Sequence, residues 1–461
     1  RTQAQTYTVT NFIDSLDLPI AFEFAPDGRV FVTQKGTYST PVSNAEIRIY
    51  NASGNFINTF YDFSDSVFTN GECGLLGLTL DPDFTNNHFV YAYYIHGLNG
   101  DTAFRIVRLT DVNNTGTNAT ILFNHPATTH LLAHVAGNLH FRSTEPNNIY
   151  FVIGELNDSV HAQQLDRPFG KVLRITKTGG IPTDNPFYDD GNPYIGNDDR
   201  IYSYGHRNPF EFCFSPVTDS LYISENGRLA WDEIDMGRKG ANYGWPFCEG
   251  AYVHNSTTVA CNNPAYTDPI ADWNPTVGIT GITYYNSNIM PEFNHHLLVA
   301  DFDHHNIYDL TLGNAPLYNT VTSRTTWMPN VAANGLSALH QGPDGCVYAG
   351  VLGFFPNGKI IRVCSSGVTV PEAGIVLANC NLAPQPFTEQ TTLSYQLLQP
   401  GVVTISLFDL SGKKLNTLYN GKQDRGEQVL KINAAETPAA GVYFLLIQTE
   451  TTSRMIKLVR L

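Results

Sequence analysis

The chain has 461 residues, of which 42% are hydrophobic and only 15% are charged, and its formal net charge is −15 at pH 7. This apolar content suffices for a large core, and no apolar run approaches the roughly 18 residues of a transmembrane helix, so we predict a folded protein without a membrane span. The acidic balance argues against binding to nucleic acid or anionic lipid, because both need basic surfaces. Glycine (38 residues) and proline (26 residues) are abundant, as is typical of turn-rich all-β proteins.

One short phrase recurs six times, and consists of a proline in a turn followed by an apolar strand rich in Tyr and Phe. The copies are APDGRVFVTQ (25–34), DPDFTNNHFVYAYY (81–94), EPNNIYFVIGE (145–155), SPVTDSLYISE (215–225), MPEFNHHLLVADF (290–302) and GPDGCVYAGV (342–351). Their prolines lie 52 to 75 residues apart, which is room for about four short strands and their loops. We therefore predict a six-bladed β-propeller over residues 1–364. The alternative, a row of β-sandwiches, would need about 100 residues per unit.

Three polar residues precede an alternating aromatic strand in the fourth repeat. In SYGHRNPFEFCFSP (203–216), His206, Arg207 and Asn208 come directly before Pro209 and Phe210. The period-two pattern from residue 210 onwards indicates a half-buried strand. The polar residues therefore lie at a strand entrance, where a rigid scaffold presents side chains to a loop face.

Seven cysteines are present, and none forms a C-x-x-C motif, which argues against a zinc ribbon or a thioredoxin-like site. Cys248 and Cys261 bracket a polar loop, which favours a disulfide in an oxidising compartment. Cys346 and Cys364 lie on successive strand-like runs and could pair across a hairpin. Free buried cysteines are the alternative for both pairs.

The character of the sequence changes after residue 364. Residues 365–374, SSGVTVPEAG, contain small residues, Pro and Gly and are predicted to form a linker. About seven short strands then follow within residues 375–461, which predicts a small, immunoglobulin-like β-sandwich.

Six stretches occur in the order expected for one family of enzymes. They are GECGLLGLTLDPDF (71–84), HVAGNLHF (134–141), GKVLRI (170–175), IPTDNPF (181–187), YGHRNPFEFCF (204–214) and SENGRLAWDEIDMGRKGANYGWP (224–246). In these stretches the chain resembles the soluble glucose/sorbosone dehydrogenases, six-bladed propellers that use pyrroloquinoline quinone and calcium. The resemblance implies oxidation of a sugar at its anomeric hydroxyl, with the quinone as hydride acceptor.

The same resemblance assigns roles to single residues. His134 matches the catalytic base, and imidazole suits that role because it titrates near neutral pH. Arg207 and Asn208 would contact the cofactor, whereas His206 would be structural, and Glu72 would contact the sugar. A structural histidine at a strand start is the alternative for His134.

Calcium is implied at two places in the 224–246 stretch. The backbone carbonyls of Gly227 and Arg228 would hold an active-site calcium. Asp232, Glu233 and the Tyr243 carbonyl would hold a second, structural calcium, since this hard cation prefers oxygen ligands. A solvated acidic turn is the alternative.

Some positions depart from the pattern of the family. Arg228 stands where proline is usual, Asp303 and His304 stand where a basic residue is expected, and Leu336 and Ser337 stand where arginine is expected. A quinone with three carboxylates would lose charge-assisted contacts there. His304, His305 and His340 either compensate or indicate a different ligand.

The last 87 residues resemble another family. PQPFTEQTTLSYQL, GVVTISLFDLSGKKL and AAGVYFLLIQT, followed by the basic SRMIKLVRL, resemble the C-terminal sorting domain of the bacterial type IX secretion system. This resemblance implies a Bacteroidota-type bacterium that exports the protein to its surface or beyond, with the secretion machinery as a partner.

Asp-Ser or Asp-Thr followed by an apolar residue occurs five times, and bacteria of that group O-glycosylate such motifs. The candidate positions are Ser15, Ser66, Thr102, Ser159 and Ser220. Chance occurrence in a chain rich in Ser and Thr is the alternative.

Two functions from different classes remain at this point. One is a secreted, calcium-dependent quinoprotein that oxidises aldoses. The other is a non-catalytic surface, matrix, filament-forming or glycan-binding propeller that has lost the cofactor, and it would involve a homo-oligomer or a filament. Fold alone does not distinguish them.

Overall fold

The computed structural model describes most of the chain, and its residues fall into two compact units, 1–366 and 367–461. The described residues are 6–37, 42–98, 101–127, 133–253, 261, 263–365, 377–397, 400–409, 413–437, 439–449 and 453–461. Within them, no helix has the length and hydropathy needed to cross a bilayer.

The regular secondary structure of the first unit consists almost entirely of β-strands. They are β1 (Tyr7–Leu16), β2 (Pro19–Phe24), β3 (Val30–Gln34), β4 (Glu46–Tyr50), β5 (Phe56–Asp62), β6 (Leu75–Leu80), β7 (Phe89–Leu98), β8 (Asp101–Val112), β9 (Thr115–Pro126), β10 (Leu139–Arg142), β11 (Glu145–Ile153), β12 (Lys171–Thr176), β13 (Ile201–Tyr204), β14 (Pro209–Phe214), β15 (Leu221–Glu225), β16 (Asp232–Gly237), β17 (Cys248–Glu249), β18 (Tyr252–Val253), β19 (Ala271–Trp273), β20 (Ile279–Tyr285), β21 (His296–Asp301), β22 (Ile307–Gly313), β23 (Thr320–Met328), β24 (Leu336–Gln341), β25 (Val347–Val351) and β26 (Gly358–Ser365). One short α-helix (Phe84–Asn87) and two 3₁₀ turns (Ser159–Gln163, Pro291–Phe293) interrupt them.

Within the described part of this unit, the strands form six four-stranded antiparallel sheets and a two-stranded ribbon, β17–β18. Four sheets take consecutive strands: β2–β5, β6–β9, β10–β13 and β20–β23. The fifth has the order β14-β15-β16-β19, and the sixth has the order β1-β26-β25-β24. In the sixth sheet, β1 pairs with β26 from Tyr7 opposite Ser365 to Leu16 opposite Gly358, so one sheet joins the two ends of the unit.

The first strands of neighbouring sheets contact one another in a closed circle. β2 contacts β6, β6 contacts β10, β10 contacts β14, β14 contacts β20, β20 contacts β24, and β24 contacts β2. These six strands are therefore innermost. Each of the six repeated phrases lies where the first strand of a sheet connects to the second, so the phrase marks one unit of the ring.

Burial follows from this arrangement. Every residue of the second strands β3, β15 and β25 is buried, because neighbouring sheets cover both faces. The outer strand β23 is mostly exposed. Fully burying one large apolar side chain contributes about 1.5–3 kcal/mol, so the buried second strands contribute strongly to the stability of each repeat.

Both predicted disulfides are confirmed. Cys248 pairs with Cys261 with Cα atoms 5.7 Å apart, and Cys346 pairs with Cys364 with Cα atoms 4.9 Å apart. The alternative of free cysteines is thereby excluded for these four residues.

Replacing Cys248 and Cys261 together by serine should lower the free energy of unfolding by about 3 kcal/mol, because the open chain regains the entropy of a loop of this length. Urea unfolding of the oxidised protein measures this change. Reduction with dithiothreitol should lower the midpoint of urea unfolding of the wild type. It should lower the midpoint of the variant by less, because only the Cys346–Cys364 disulfide remains there to be reduced. Equal midpoints for oxidised wild type and variant would contradict the prediction.

The second unit has seven described strands. They are β27 (Leu377–Ala383), β28 (Gln390–Leu397), β29 (Gly401–Phe408), β30 (Lys414–Gln423), β31 (Gly426–Asn433), β32 (Gly441–Gln448) and β33 (Ser453–Arg460), with a 3₁₀ turn at Ala434–Glu436. They form the sheets β27-β28-β31 and β30-β29-β32-β33, which share one hydrophobic core. Of the predicted linker, Ser365 ends β26, and residues 366–374 lie outside the described residues.

Candidate functional site

A cavity of about 640 Å³ lies where the innermost strands converge. Innermost strands of five sheets contribute lining residues, and Asn138 directly before β10 lines the cavity beside the sixth; the strand residues include Ile20, Leu76, Phe210, Thr280 and Ser337. The cavity therefore depends on closure of the whole ring, and most of its lining is apolar.

His134 lies beside this cavity in a strained backbone segment. His134 and Ala136 have φ values of 57° and 51°, which non-glycine residues rarely adopt and which concentrate at functional sites. The carboxylate of Glu72, a lining residue, accepts hydrogen bonds from the backbone N–H groups of His134 (2.6 Å) and Val135 (3.4 Å). The structure thus brings Glu72 against the segment that carries His134.

The imidazole of His134 is held from both sides. Its Nδ1 is 2.6 Å from Oε1 of Glu155, whose side chain is 2% exposed. Its Nε2 is 2.9 Å from the Arg207 guanidinium, which can only donate. Nε2 is therefore the unprotonated nitrogen, and Nδ1–H donates to Glu155.

Arg207 connects His134 to the loop after β15. Its Nη1 donates to the carbonyls of Asn226 (2.9 Å) and Gly227 (2.8 Å), and its guanidinium lies over the Trp245 ring at 5.5 Å. Burial lowers the pKa of this guanidinium, although neighbouring carboxylates oppose the shift. Its Nε has no hydrogen-bond partner among the described residues.

Asn208 is buried and lines the cavity. Its Oδ1 is a second buried polar atom for which the described residues provide no partner. Arg207 and Asn208 therefore present unsatisfied polar atoms at the site where the sequence predicted cofactor contacts.

The predicted calcium ligands differ in their surroundings. The Gly227 carbonyl accepts a hydrogen bond from Arg207, and Arg228 is exposed, with its backbone N–H donating to Glu249. The carboxylate of Asp232 accepts backbone hydrogen bonds at 2.7–3.3 Å from four residues, namely Gly227, Val277, Gly278 and Ile279. Burial raises the pKa of Asp232, and these hydrogen bonds oppose the shift. A calcium role for Gly227, Arg228 or Asp232 stays a prediction.

Three carboxylates share one buried face of the β15–β16 pair. Glu225 lies opposite Glu233 in the strand register, and Asp235 lies two residues further along β16. Both carboxylate oxygens of Asp235 and Oε2 of Glu233 have no hydrogen-bond partner in the described part of the chain. Burial and the neighbouring carboxylates raise the pKa of Glu233 and of Asp235 well above the usual range. We call Glu225, Glu233 and Asp235 the acidic cluster.

One buried histidine contacts the acidic cluster. His206 is fully buried, and its Nδ1 lies 2.6 Å from Glu225 and 3.8 Å from Asp235. The Tyr243 ring stacks on this imidazole with centroids 4.4 Å apart. His206 is thus enclosed by Glu225, Asp235 and Tyr243, and its expected structural role stays a prediction.

The positions where the family would supply more positive charge do not supply it here. Asp303 and His304 are exposed, Leu336 is buried, and the Ser337 hydroxyl donates to the Pro19 carbonyl at 2.7 Å. Among the described lining residues, Lys35 is the one cationic side chain, and burial lowers its pKa. The lining carboxylates are Glu72 and Glu211.

A second histidine lies between carboxylates among the innermost strands. His140 of β10 is 2.9 Å from Glu211 and 3.6 Å from Glu23, and the His340 ring packs nearby. Burial disfavours the charged imidazole, but these two carboxylates outweigh it and raise the pKa of His140 to about 10. Burial lowers the pKa of His340, so the positive charge resides on His140.

We expect this arrangement to make stability fall as the pH rises from about 6.5 to 10. In the unfolded chain the imidazole has a pKa of about 6.5, so between pH 6.5 and 10 the folded protein binds a proton that the unfolded chain has lost. Each pH unit in this range therefore lowers the free energy of unfolding by up to about 1.4 kcal/mol. Urea unfolding at pH 6, 7.5 and 9 measures the slope. His140→Gln should flatten it, whereas a variant of the exposed His304 should keep it. An unchanged slope in His140→Gln would contradict the prediction.

The predicted glycosylation positions differ in exposure. Ser15 is exposed, and Ser66, Ser159 and Ser220 are partly exposed, whereas Thr102 lies in β8. Asp158 accepts the Val160 N–H at 3.3 Å, and Asp219 pairs with Arg142, so both aspartates also have structural roles. O-glycosylation stays a prediction at all five positions.

Sequence reasoning missed several residues of the site. Lys35 lines the cavity without any local motif, and Glu155 and Glu211 lie in stretches that drew attention for other reasons and received no role. The pattern Glu-x-Asp at 233–235 was a usable signal, since alternate residues of a strand share one face.

Comparisons with known proteins identify the families that the two parts of the chain match. Residues 16–362 match the family model described as glucose/sorbosone dehydrogenase, and residues 381–460 match the one described as a secretion system C-terminal sorting domain. The aldose sugar dehydrogenase of Escherichia coli K12 is 27% identical over 366 residues, which cover 78% of this chain and 93% of that relative.

Two solved structures are similar to the first unit. The soluble aldose sugar dehydrogenase of Escherichia coli, in its apo form, aligns with a TM-score of 0.67 at 24% identity and covers 78% of this chain and 99% of its own. A glucose-dehydrogenase-type oxidoreductase from Thermus thermophilus aligns with a TM-score of 0.66 at 26% identity and covers 78% and 100%. The predicted all-β class and both predicted resemblances are confirmed.

Proposed function

This chain belongs to the glucose/sorbosone dehydrogenase family, and we propose that its central cavity oxidises aldose sugars at the anomeric hydroxyl. The observation that carries the proposal is the pairing of His134 with the buried carboxylate of Glu155 at 2.6 Å, beside a cavity large enough for a sugar and a cofactor. A histidine oriented in this way by a carboxylate can act as a general base.

His134 would take the proton of the anomeric hydroxyl at Nε2. Glu155 keeps the other ring nitrogen protonated and stabilises the imidazolium that forms. Nε2 accepts one hydrogen bond from Arg207, so we propose that this contact opens when ligands bind. Glu72, which holds the backbone of His134, would contact the sugar.

Pyrroloquinoline quinone would supply the hydride acceptor, because protein side chains contain none. Arg207 fits an anionic, oxygen-rich group, since its Nε is a buried donor without a partner among the described residues. The Asn208 Oδ1 also lacks a partner in the described part of the chain, and as an acceptor it would take a hydrogen bond from an N–H or O–H of the ligand. Lys35 adds positive charge within the cavity. The cavity volume also lies within the range of about 300–1,000 Å³ for ligand pockets.

A structural calcium would fit the acidic cluster. Glu233 and Asp235 present buried oxygens for which the described residues offer no partner, and such a concentration of negative charge requires a cation or bound protons. We therefore place the second calcium at Glu233 and Asp235, and not at Asp232, whose oxygens accept backbone hydrogen bonds.

A non-catalytic binding or assembly role is the alternative, and one observation favours it. Glu72 and Glu211 line the cavity together with Lys35, so the charge of the lining opposes a quinone with three carboxylates. A neutral glycan carries no charge for these carboxylates to repel.

We further propose that each four-stranded sheet is one blade of a six-bladed propeller and that the second unit is a β-sandwich. The circle of innermost strands and the shared core of the two C-terminal sheets support these assignments. The sorting domain indicates a secreted or cell-surface protein, and we propose export by the type IX system of a Bacteroidota-type bacterium.

Dye-linked oxidation of aldoses by the full chain, with added quinone and calcium, tests the proposed activity. Reduction of the dye that depends on sugar, quinone and calcium would support the enzyme. Sugar binding by calorimetry without any dye reduction would support the non-catalytic alternative.

A further inference from the structure

The connection between β12 and β13, residues 177–200, is a 24-residue loop. Connections of this length without secondary structure are uncommon in compact domains and usually have a function. Three aspartates of this loop meet at one point, and we propose that Asp189, Asp190 and Asp199 bind a divalent cation of the calcium type. The site is separate from the acidic cluster and does not depend on the proposed activity.

The geometry of the three side chains fits one ion. Each offers a carboxylate oxygen, and these oxygens all lie within 4.8 Å of one another. Calcium binds oxygen at about 2.3–2.6 Å, so two ligands of one ion lie at most about 5 Å apart. The spacing of the three oxygens is therefore compatible with one shared calcium ion.

Asp199 gives independent support, because one of its two buried carboxylate oxygens has no partner in the part of the chain that the structure describes. It is 0% exposed, and its Oδ2 has no hydrogen-bond partner among the described residues. Its Oδ1 accepts the backbone N–H of Asp189 at 2.5 Å, which draws the two aspartates together. A buried carboxylate oxygen without a partner is costly, and an ion shared with two exposed aspartates would remove this cost.

Ion pairs do not explain the three aspartates. Arg200, the next residue after Asp199, binds both oxygens of Asp198 at 2.7 and 2.6 Å. In the described ranges, no lysine or arginine pairs with Asp189, Asp190 or Asp199. The loop thus concentrates negative charge at one point while its nearest arginine is already neutralised.

Hydrogen bonds within the loop leave ligand oxygens available. Asp189 Oδ2 accepts the Asn197 N–H at 3.0 Å, and Asp190 Oδ1 accepts the Asn192 N–H at 2.7 Å. The second oxygen of each carboxylate remains for a ligand. Donor atoms that are all oxygens select a hard cation such as calcium over zinc.

The position of the loop suggests what the ion does. Asp199 directly precedes Arg200 and β13, and β13 leads into His206, Arg207 and Asn208 of the central site. A bound ion would fasten the loop at the entrance to this segment and reduce its conformational freedom.

Counting bound calcium by equilibrium dialysis of the full chain tests the proposal. At millimolar calcium, the range in which extracellular sites bind, Asp189→Asn/Asp190→Asn should hold one ion fewer than wild type. These two positions are exposed, so the variant should fold, and Asp199→Asn should lose the same ion. Asp184→Asn is the matched control, because this loop aspartate pairs with Arg174 and should keep the wild-type number.

A second measurement separates this site from the acidic cluster. Calcium should protect residues 177–200 from limited proteolysis in wild type and in Glu233→Gln, but not in Asp189→Asn/Asp190→Asn. An unchanged ion count in the double variant would overturn the proposal, and so would cleavage in this loop that does not respond to calcium.

Discussion

His134→Gln should lower the rate of quinone-dependent aldose oxidation by about two to four orders of magnitude. Glutamine keeps a polar side chain of similar size but cannot accept a proton at neutral pH. Because Glu155 and Arg207 hold the two ring nitrogens at 2.6 and 2.9 Å, the imidazole is oriented for proton transfer, and glutamine cannot reproduce this arrangement. Steady-state kinetics with the dye assay measure the change, which should fall on kcat more than on KM.

Two variants serve as references for His134. His304→Gln changes an exposed histidine and should keep the wild-type rate. Glu155→Gln should reduce kcat less than His134→Gln and should change its pH profile, because the imidazolium loses its carboxylate partner. Retention of most activity in His134→Gln, in a wild type that is active, would exclude His134 as the base.

Removal of calcium with a chelator should lower the melting temperature of the wild type through the acidic cluster. A ligand at 100 times its dissociation constant stabilises the folded state by about 2.7 kcal/mol, and its loss leaves Glu225, Glu233 and Asp235 facing one another. Differential scanning calorimetry of the full chain, with and without a chelator, measures the shift.

Asp235→Asn and Glu233→Gln distinguish an ion at the cluster from shared protons. Each removes a ligand and a like charge, so each should weaken the response to the chelator while raising the stability of the chelated protein. All variants are compared in a protein that also carries Asp189→Asn/Asp190→Asn. In this background the calcium site proposed in the loop of residues 177–200 no longer contributes to the response to the chelator. Chelation that leaves the melting temperature of this background unchanged would contradict a calcium ion at the cluster.

Local sequence predicted much of the fold because its signals act over short distances. A proline turn and the apolar strand after it recur in all six sheets, and each copy marks the second strand, whose two faces are both covered. The Cys248–Cys261 pair was predictable for the same reason, since only a short polar loop separates the two residues.

Part of the candidate site was also predictable. Arg207 and Asn208 lie at the entrance to β14, as the alternation of apolar residues after them indicates. The motif around His134 pointed to a base, although its orientation by Glu155 was not visible in the sequence.

Only the tertiary structure decided how charges are compensated. Glu72 reaches the backbone of His134 across 62 positions of the chain, and Arg207 reaches its ring across 73. Asp232 and Glu233 are adjacent in sequence but lie on opposite faces of β16. Asp232 accepts hydrogen bonds from four backbone N–H groups, whereas Oε2 of Glu233 has no partner among the described residues. The sequence by itself determined the strands, their repeat and the residue types available for the site. Which carboxylates find hydrogen-bond partners and which do not, among the described residues, depends on the tertiary fold, because electrostatic interactions follow distance and burial in space and not separation along the chain.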